Sequence, residues 1–214
     1  MFIKGYLSAY DGENITIVAP FPDGYILDKR QVTECEIILD DGRHISADQR
    51  KKIYATFNDI SVWTGYTPPE IKEHMKYEFI ARYGVPYFSL SNIDMTTARE
   101  FLQFLIEFCI ENDIACTDSL INRSPDIARY IYCCLIHKKC CVCGKKAVLH
   151  HVDHVGSGRN RKEICHIGMR AEPLCNEHHT EAHTIGQLRF DDKYKTFGIK
   201  IDADIAKVHK LKGD

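Results

Sequence analysis

The chain has 214 residues, room for one large or two small domains, and its 44% hydrophobic and 27% charged residues make an ordinary globular balance. A formal net charge of -2 excludes a uniformly basic nucleic-acid coat, so any DNA contact has to come from a local patch. No apolar run approaches the ~20 residues of a membrane span, which excludes a membrane partner.

Residues 2–45 read as strands of a small antiparallel sheet. Ile15, Ile17 and Ala19 alternate with Thr16 and Val18, and Glu34 to Leu39 is a second β-type run. Asp11-Gly12 and Asp41-Gly42 are two-residue turn signals, and Pro20, Pro22 and Gly24 punctuate a loop. The start, MFIKGYLSAY, lacks the apolar core of a secretory leader.

About four helices follow. Ser46 is the expected N-cap of the first, with Ile53, Phe57 and Ile60 on one face and Gly65 as the stop. Thr67-Pro68-Pro69-Glu70 opens the second, which carries Ile71, Met75 and Phe79 and stops at Gly84. Thr97-x2-Glu100 reads as the capping box of the third, with Phe101, Leu102, Leu105, Ile106 and Cys109 buried. Ser124-Pro125-Asp126 opens the fourth, with Ile127, Ile131 and Leu135 in line. Trp63 and several tyrosines are core or rim residues that could also stack on bases. Nothing in residues 1–135 has a catalytic spacing.

The chemistry is concentrated between Cys140 and His183. Cys140-x2-Cys143 and Cys175-x2-His178 are two short-spaced pairs of the kind that supplies four tetrahedral ligands to a structural zinc. Ten cysteines clustered around such pairs point to metal-bound thiolates in a reducing, cytoplasmic compartment. Nested between the pairs are His150-His151 and His179-x3-His183. Residues four apart share a helix face, so His179 and His183 can hold one ion, with His150 closing the site from a strand. A basic run surrounds the stretch: Lys138, Lys139, Lys145, Lys146, Arg159, Arg161, Lys162 and Arg170, against only Asp153 and Glu163. Of these, Lys145, Lys146, Arg159, Arg161 and Lys162 are the candidate DNA contacts.

In its order CxxC, HH, CxxHHxxxH, the stretch over residues 139–185 resembles the HNH nucleases with their ββα-metal core. The resemblance implies a hairpin carrying His150-His151, a loop, and a helix carrying His179 and His183. It also implies a metal-dependent endonuclease that hydrolyses DNA phosphodiester bonds. His150, His179 and His183 would hold the catalytic ion (Mg, Mn, Ni or Zn), and His151 would be the general base. A rival register, Asp153-His154, matches the family's other variant. The family's middle residue falls on Asn160 or His166.

Residues 30–135 resemble the Orf recombination proteins of lambdoid phages, in ISADQRKKIYATFNDIS, FSLSNIDMTTAREFLQFLIEFCIENDIACTDS and SPDIARYIYCCL. That resemblance implies single-stranded-DNA binding, contact with the host single-strand-binding protein, and a homodimer. The expected organisation is α+β: an Orf-like domain at 1–136, then a zinc-bound HNH module with a C-terminal tail at 137–214. Its substrate would be single-stranded or branched DNA. In the tail, Phe190, Tyr194 and Phe197 are expected to pack back on the core, and Lys207, Lys210 and Lys212 to be solvated or near DNA. The alternative is a non-catalytic single-strand-binding recombination mediator whose zinc module is structural. A restriction or homing-type nuclease is a third reading.

Overall fold

The computed structural model of the chain describes residues 3, 5–31, 35, 37, 42–153 and 164–212. The run expected at 34–39 falls outside these apart from Cys35 and Ile37. His154, Gly156-Ser157-Gly158, Arg159, Asn160, Arg161 and Lys162 also fall outside them.

The described residues form an α+β fold with two small antiparallel sheets and eight helices. β1 (Tyr6–Tyr10) and β2 (Ile15–Val18) make a hairpin. Its connection is not the expected two-residue turn. It is a four-residue loop that the Asp11 carboxylate closes, accepting the N–H groups of Glu13 (3.0 Å) and Asn14 (2.7 Å). Residues 25–30, expected in strand-rich chain, form helix α1 (Tyr25–Arg30) instead. It starts behind Gly24 and ends on Gln31 in the left-handed region, and none of its residues is buried.

The helices that build the core start and stop where capping chemistry dictates. α2 (Ala47–Thr64) begins with a complete capping box between Ser46 and Gln49. α3 (Pro68–Tyr83) follows Thr67, whose backbone N–H reaches Glu70 Oε2 at 2.8 Å. Both helices end on glycines at positive φ, Gly65 (81°) and Gly84 (67°), a conformation that costs other residues dearly. α4 (Met95–Glu111) departs from expectation. Its cap is Asp94, which accepts the Thr97 N–H at 2.7 Å, so the helix starts a turn or so earlier than a Thr97 cap allows. Glu100 is then free to face α5, where it meets Arg129 at 2.7 Å. α5 (Ile127–His137) is capped by Asp126. The apolar stripes named from the sequence are the buried faces, with Phe57, Met75, Phe101, Leu105 and Ile131 fully enclosed.

A buried ion pair fixes the connection between α4 and α5. Arg123, 2% exposed, sets Nη1 2.7 Å from Asp59 Oδ2 on α2 and also bonds Thr56, Thr117 and Asp118. Truncating one partner leaves the other charge buried and uncompensated. Arg123→Ala should therefore lose about 3–5 kcal/mol in denaturant unfolding, far more than a surface arginine would.

α5 is shared between the helical part and the C-terminal sheet with its helices. It packs on α4 on one side, and on β4, β5 and α8 on the other. β3 (Val148–His151), β4 (Arg170–Leu174) and β5 (Ile199–Lys200) form one sheet in that order. α6 (Asn176–Ile185) comes directly after β4, and α7 (Gln187–Tyr194) turns back against it. The C-terminal segment is thus part of the fold rather than an appendage. β5 completes the sheet, and α8 (Ala203–His209) buries Ile205 and Ala206. His209 Nε2 reaches the Leu135 carbonyl of α5 at 2.8 Å. Phe190 is fully buried and Tyr194 half-buried as expected, whereas Phe197 remains 43% exposed. Among the described residues, no helix is long and apolar enough to cross a membrane.

Candidate metal centres

The first cluster is built by two backbone turns brought face to face. After α5, Cys140 donates its N–H to the Lys145 carbonyl (2.7 Å) and accepts from the Gly144 N–H (2.8 Å). This folds Cys140 and Cys143 into a tight knuckle. The Cys141 N–H bonds the Pro173 carbonyl of β4 at 3.0 Å, and the Tyr130 hydroxyl of α5 bonds the Cys141 carbonyl at 2.8 Å, so the knuckle is clamped to sheet and core. Opposite it, Cys175 is the N-cap of α6 and His178 lies in that helix's first turn. Cys143 Sγ is 3.7 Å from Cys175 Sγ. His178 Nδ1 is 3.5 Å from Cys140 Sγ and 3.1 Å from Cys175 Sγ.

A tetrahedral zinc with bonds near 2.3 Å to sulfur and 2.0 Å to nitrogen places its ligand atoms about 3.5–3.8 Å apart. The donor set fits such an ion, as do the 3.5 and 3.7 Å separations, while the Cys175–His178 separation of 3.1 Å is shorter. Burial, with the neighbouring Cys143 adding to it against backbone hydrogen bonds, pushes the Cys140 thiol up to about 12, so Cys140 would be protonated in the metal-free site, and a cation supplies the drive to ionise it. Among the described residues no cysteine forms a disulfide.

The second cluster joins β3 to α6. His150, 4% exposed, faces the helix, and His179 and His183 lie one turn apart on it. The three rings meet edge-to-face with centroids 4.7–5.0 Å apart, and one ring nitrogen from each lies within 4.8 Å of the others. Burial lowers the pKa of His150, and the neighbouring His179 and His183 push it the same way. His179 is lowered by burial and by His183. Three imidazoles brought to one point, two of them shifted toward the neutral form, are a metal-binding set.

His151 does not join this cluster. Successive strand side chains point to opposite faces, and its Nε2 lies 2.9 Å from His166 Nδ1. His166 is itself only 4% exposed. Of the two expected middle residues it is the one in contact with the paired histidines; Asn160 lies outside the described residues. The rival ligand Asp153 is otherwise engaged. Its carboxylate accepts the Arg170 backbone N–H (2.7 Å) and guanidinium (2.8 and 2.9 Å), and these bonds hold its pKa below the usual range.

A family model described as "Putative HNHc nuclease" matches residues 20–212. The chain belongs to this HNH nuclease family. The match takes in the helical part, for which the comparisons return no Orf recombination protein. No curated protein and no solved structure matches the chain.

Around the histidines this HNH chain carries a buried polar network that periodicity and motif spacing did not reveal. Glu172 on β4 pairs in register with His150 on β3 and is fully buried. Its carboxylate accepts from Gln187 Nε2 (2.7 Å) and Thr196 Oγ1 (3.1 Å). Gln187 Nε2 also bonds Asp191 (2.6 Å), and Gln187 Oε1 sits 3.0 Å from His150 Nε2. The one sequence signal was an acidic residue inside an otherwise apolar β run, Ala171-Glu172-Pro173-Leu174.

Burial raises the Glu172 pKa from 4.5 to about 7. The folded protein therefore binds the proton more tightly than the unfolded chain, and stability is lost as pH climbs from 4.5 through 7. A displacement of that size is worth about 3 kcal/mol. Glu172→Gln should raise the thermal midpoint above pH 7 and give no gain near pH 4.5, a comparison read by melting both proteins across that range.

The basic run is partly self-neutralised. Lys145 pairs with Glu177 (3.0 Å), Lys139 with Asp113 (2.6 Å) and Arg170 with Asp153. Lys145 and Lys146 line a recess with Asn176 and Glu177 at the start of α6, beside the cysteine cluster. Arg159, Arg161 and Lys162 lie outside the described residues.

Proposed function

We propose that the protein is a metal-dependent endonuclease that hydrolyses DNA phosphodiester bonds. In this reading a zinc at Cys140, Cys143, Cys175 and His178 is structural, and a divalent ion at His150, His179 and His183 is catalytic. The observation that carries the reading is the convergence of three imidazoles from β3 and α6 beside a separate cluster of three cysteines and a histidine, in a chain of the HNH nuclease family. The ββα arrangement of β3, β4 and α6 supports it.

A bound divalent ion supplies positive charge for the phosphoryl and leaving oxygens. His150, His179 and His183 would hold such an ion. His151, next in sequence to the ligand His150, would take the proton from the attacking water. His166 bonds Nε2 of His151; with the proton on that Nε2, the accepting lone pair is on Nδ1. Lys145 and Lys146, in the recess beside the cysteine cluster, would meet the DNA backbone, Lys145 by exchanging Glu177 for a phosphate. In this reading the substrate is single-stranded or branched DNA and the role is in phage recombination.

The test is a cleavage panel of single-stranded, duplex, flap and junction DNAs with Mg²⁺, Mn²⁺, Ni²⁺ or Zn²⁺. Cleavage with at least one ion, abolished by chelation, is the expected result. No cleavage of any DNA with any ion would leave the non-catalytic single-strand-binding mediator as the surviving reading.

A further inference from the structure

The network behind His150 decides which nitrogen of that ring is available. Gln187 is the first residue of α7, and its side-chain amide lies between β3, β4 and its own helix. Its nitrogen faces two carboxylates, Glu172 Oε1 at 2.7 Å and Asp191 Oδ1 at 2.6 Å. An amide nitrogen has two N–H donors and no lone pair to offer, and an amide oxygen only accepts. Reversing the group would aim its oxygen at both carboxyl groups and leave both N–H donors without these acceptors. The carboxyl groups therefore decide the amide's orientation, and they do so whether or not either is protonated, since a carboxylic acid keeps its carbonyl oxygen. Thr196 and the β3–β4 register hold Glu172 in place, and Asp191 sits one turn along α7.

The other end of the amide is then fixed. Gln187 Oε1, an acceptor, stands 3.0 Å from His150 Nε2. That nitrogen has to carry the hydrogen. A neutral imidazole has one protonated nitrogen, so the lone pair of His150 is on Nδ1.

We infer that Gln187, oriented by Glu172 and Asp191, is a positioning residue that locks His150 in its Nε2–H tautomer and so presents Nδ1 as the metal-binding atom. The inference rests on the reading of His150, His179 and His183 as a metal site, and deepens it. Second-layer partners of metal-bound histidines set tautomer and ring orientation in this way, and losing one weakens metal binding by about 10–100-fold.

Two measurements test it on the full chain carrying its tightly bound zinc. The first is the tautomer of His150 before any second ion is added, read from long-range ¹H–¹⁵N correlations and assigned by comparison with His150→Gln. Hydrogen on Nε2 is expected; hydrogen on Nδ1 would overturn the inference without any variant having to fold. The second is Ni²⁺ titration by competition with a chelating dye, comparing wild type, Gln187→Leu and His179→Ala. Gln187→Leu should bind Ni²⁺ about 10–100-fold more weakly with its zinc content unchanged. If His179→Ala loses the Ni²⁺ site while Gln187→Leu binds within twofold of wild type, Gln187 does not position the ligand. If His179→Ala binds as tightly as wild type, the metal-site reading itself fails, and this inference with it.

Discussion

His151→Ala should lower DNA cleavage by about 10²–10⁴-fold, the usual contribution of a positioned general base, while Ni²⁺ or Mn²⁺ still binds the histidine cluster with wild-type affinity. The separation of the two readouts comes from the strand. His150 faces α6 and its two histidines, whereas His151 faces His166. Outside the group of rings that could hold the ion, His151 is assigned to proton transfer and not to metal binding. His150→Ala should do the reverse, with metal affinity falling first and activity falling because of it. His166→Ala belongs with His151: it should reduce cleavage less than His151→Ala does and leave the ion in place. Paired measurements of cleavage rate and metal affinity on these variants would check the assignment. Wild-type cleavage by His151→Ala would remove the base from the mechanism, and loss of metal binding in that variant would place the ring in the wrong cluster.

The second large effect is on stability. Removing zinc from the thiolate cluster, by a strong chelator or by Cys175→Ser, should lower the thermal midpoint by more than about 10 °C. Structural zinc contributes on the order of 10 kcal/mol in small metal-folded domains, and each kcal/mol moves a domain of this size by about 2–4 °C. The damage should spread beyond the knuckle. Cys140, Cys141, Val142, Ala147 and Leu174 belong to the same continuous core as Ile131 and Leu135 of α5. Cys141→Ser is the control. Cys141 is fully buried but bonds Thr196 at 3.6 Å and contributes no atom to the cluster, so its zinc content should stay at that of the wild type. Differential scanning calorimetry with metal analysis on the three proteins reads both quantities.

What the sequence made legible was local. Ser46, Gly65, Thr67 and Gly84 cap α2 and α3 through hydrogen bonds and φ angles that involve neighbours only, and motif reasoning finds such features. The two groups that could hold an ion were legible for a related reason: CxxC, CxxH and HxxxH are spacings within one turn, and only their meeting in space was left to infer. The cap of α4 was misread because Thr97 and Glu100 satisfy the capping pattern on paper. Asp94 competes for the same Thr97 N–H, and Glu100 is drawn to Arg129 on α5. Helix α1 was missed because its six residues bury nothing, so no apolar period marked it. The Gln187–Glu172–Asp191 network was invisible because its partners come from β4 and α7 and face a histidine on β3, and only the sheet register joins them. In the rival register Asp153 is engaged by Arg170 across the hairpin, a contact that no motif marks, and its neighbour His154 lies outside the described residues.

The most direct test of the account is the anomalous scattering of crystals grown with zinc and soaked in Mn²⁺. One zinc peak bonded to the sulfurs of Cys140, Cys143 and Cys175 and to His178 Nδ1, and a separate manganese peak among His150, His179 and His183, is the predicted result. Manganese on Asp153, or density at the sulfurs alone with the three imidazoles turned away from one another, would contradict it.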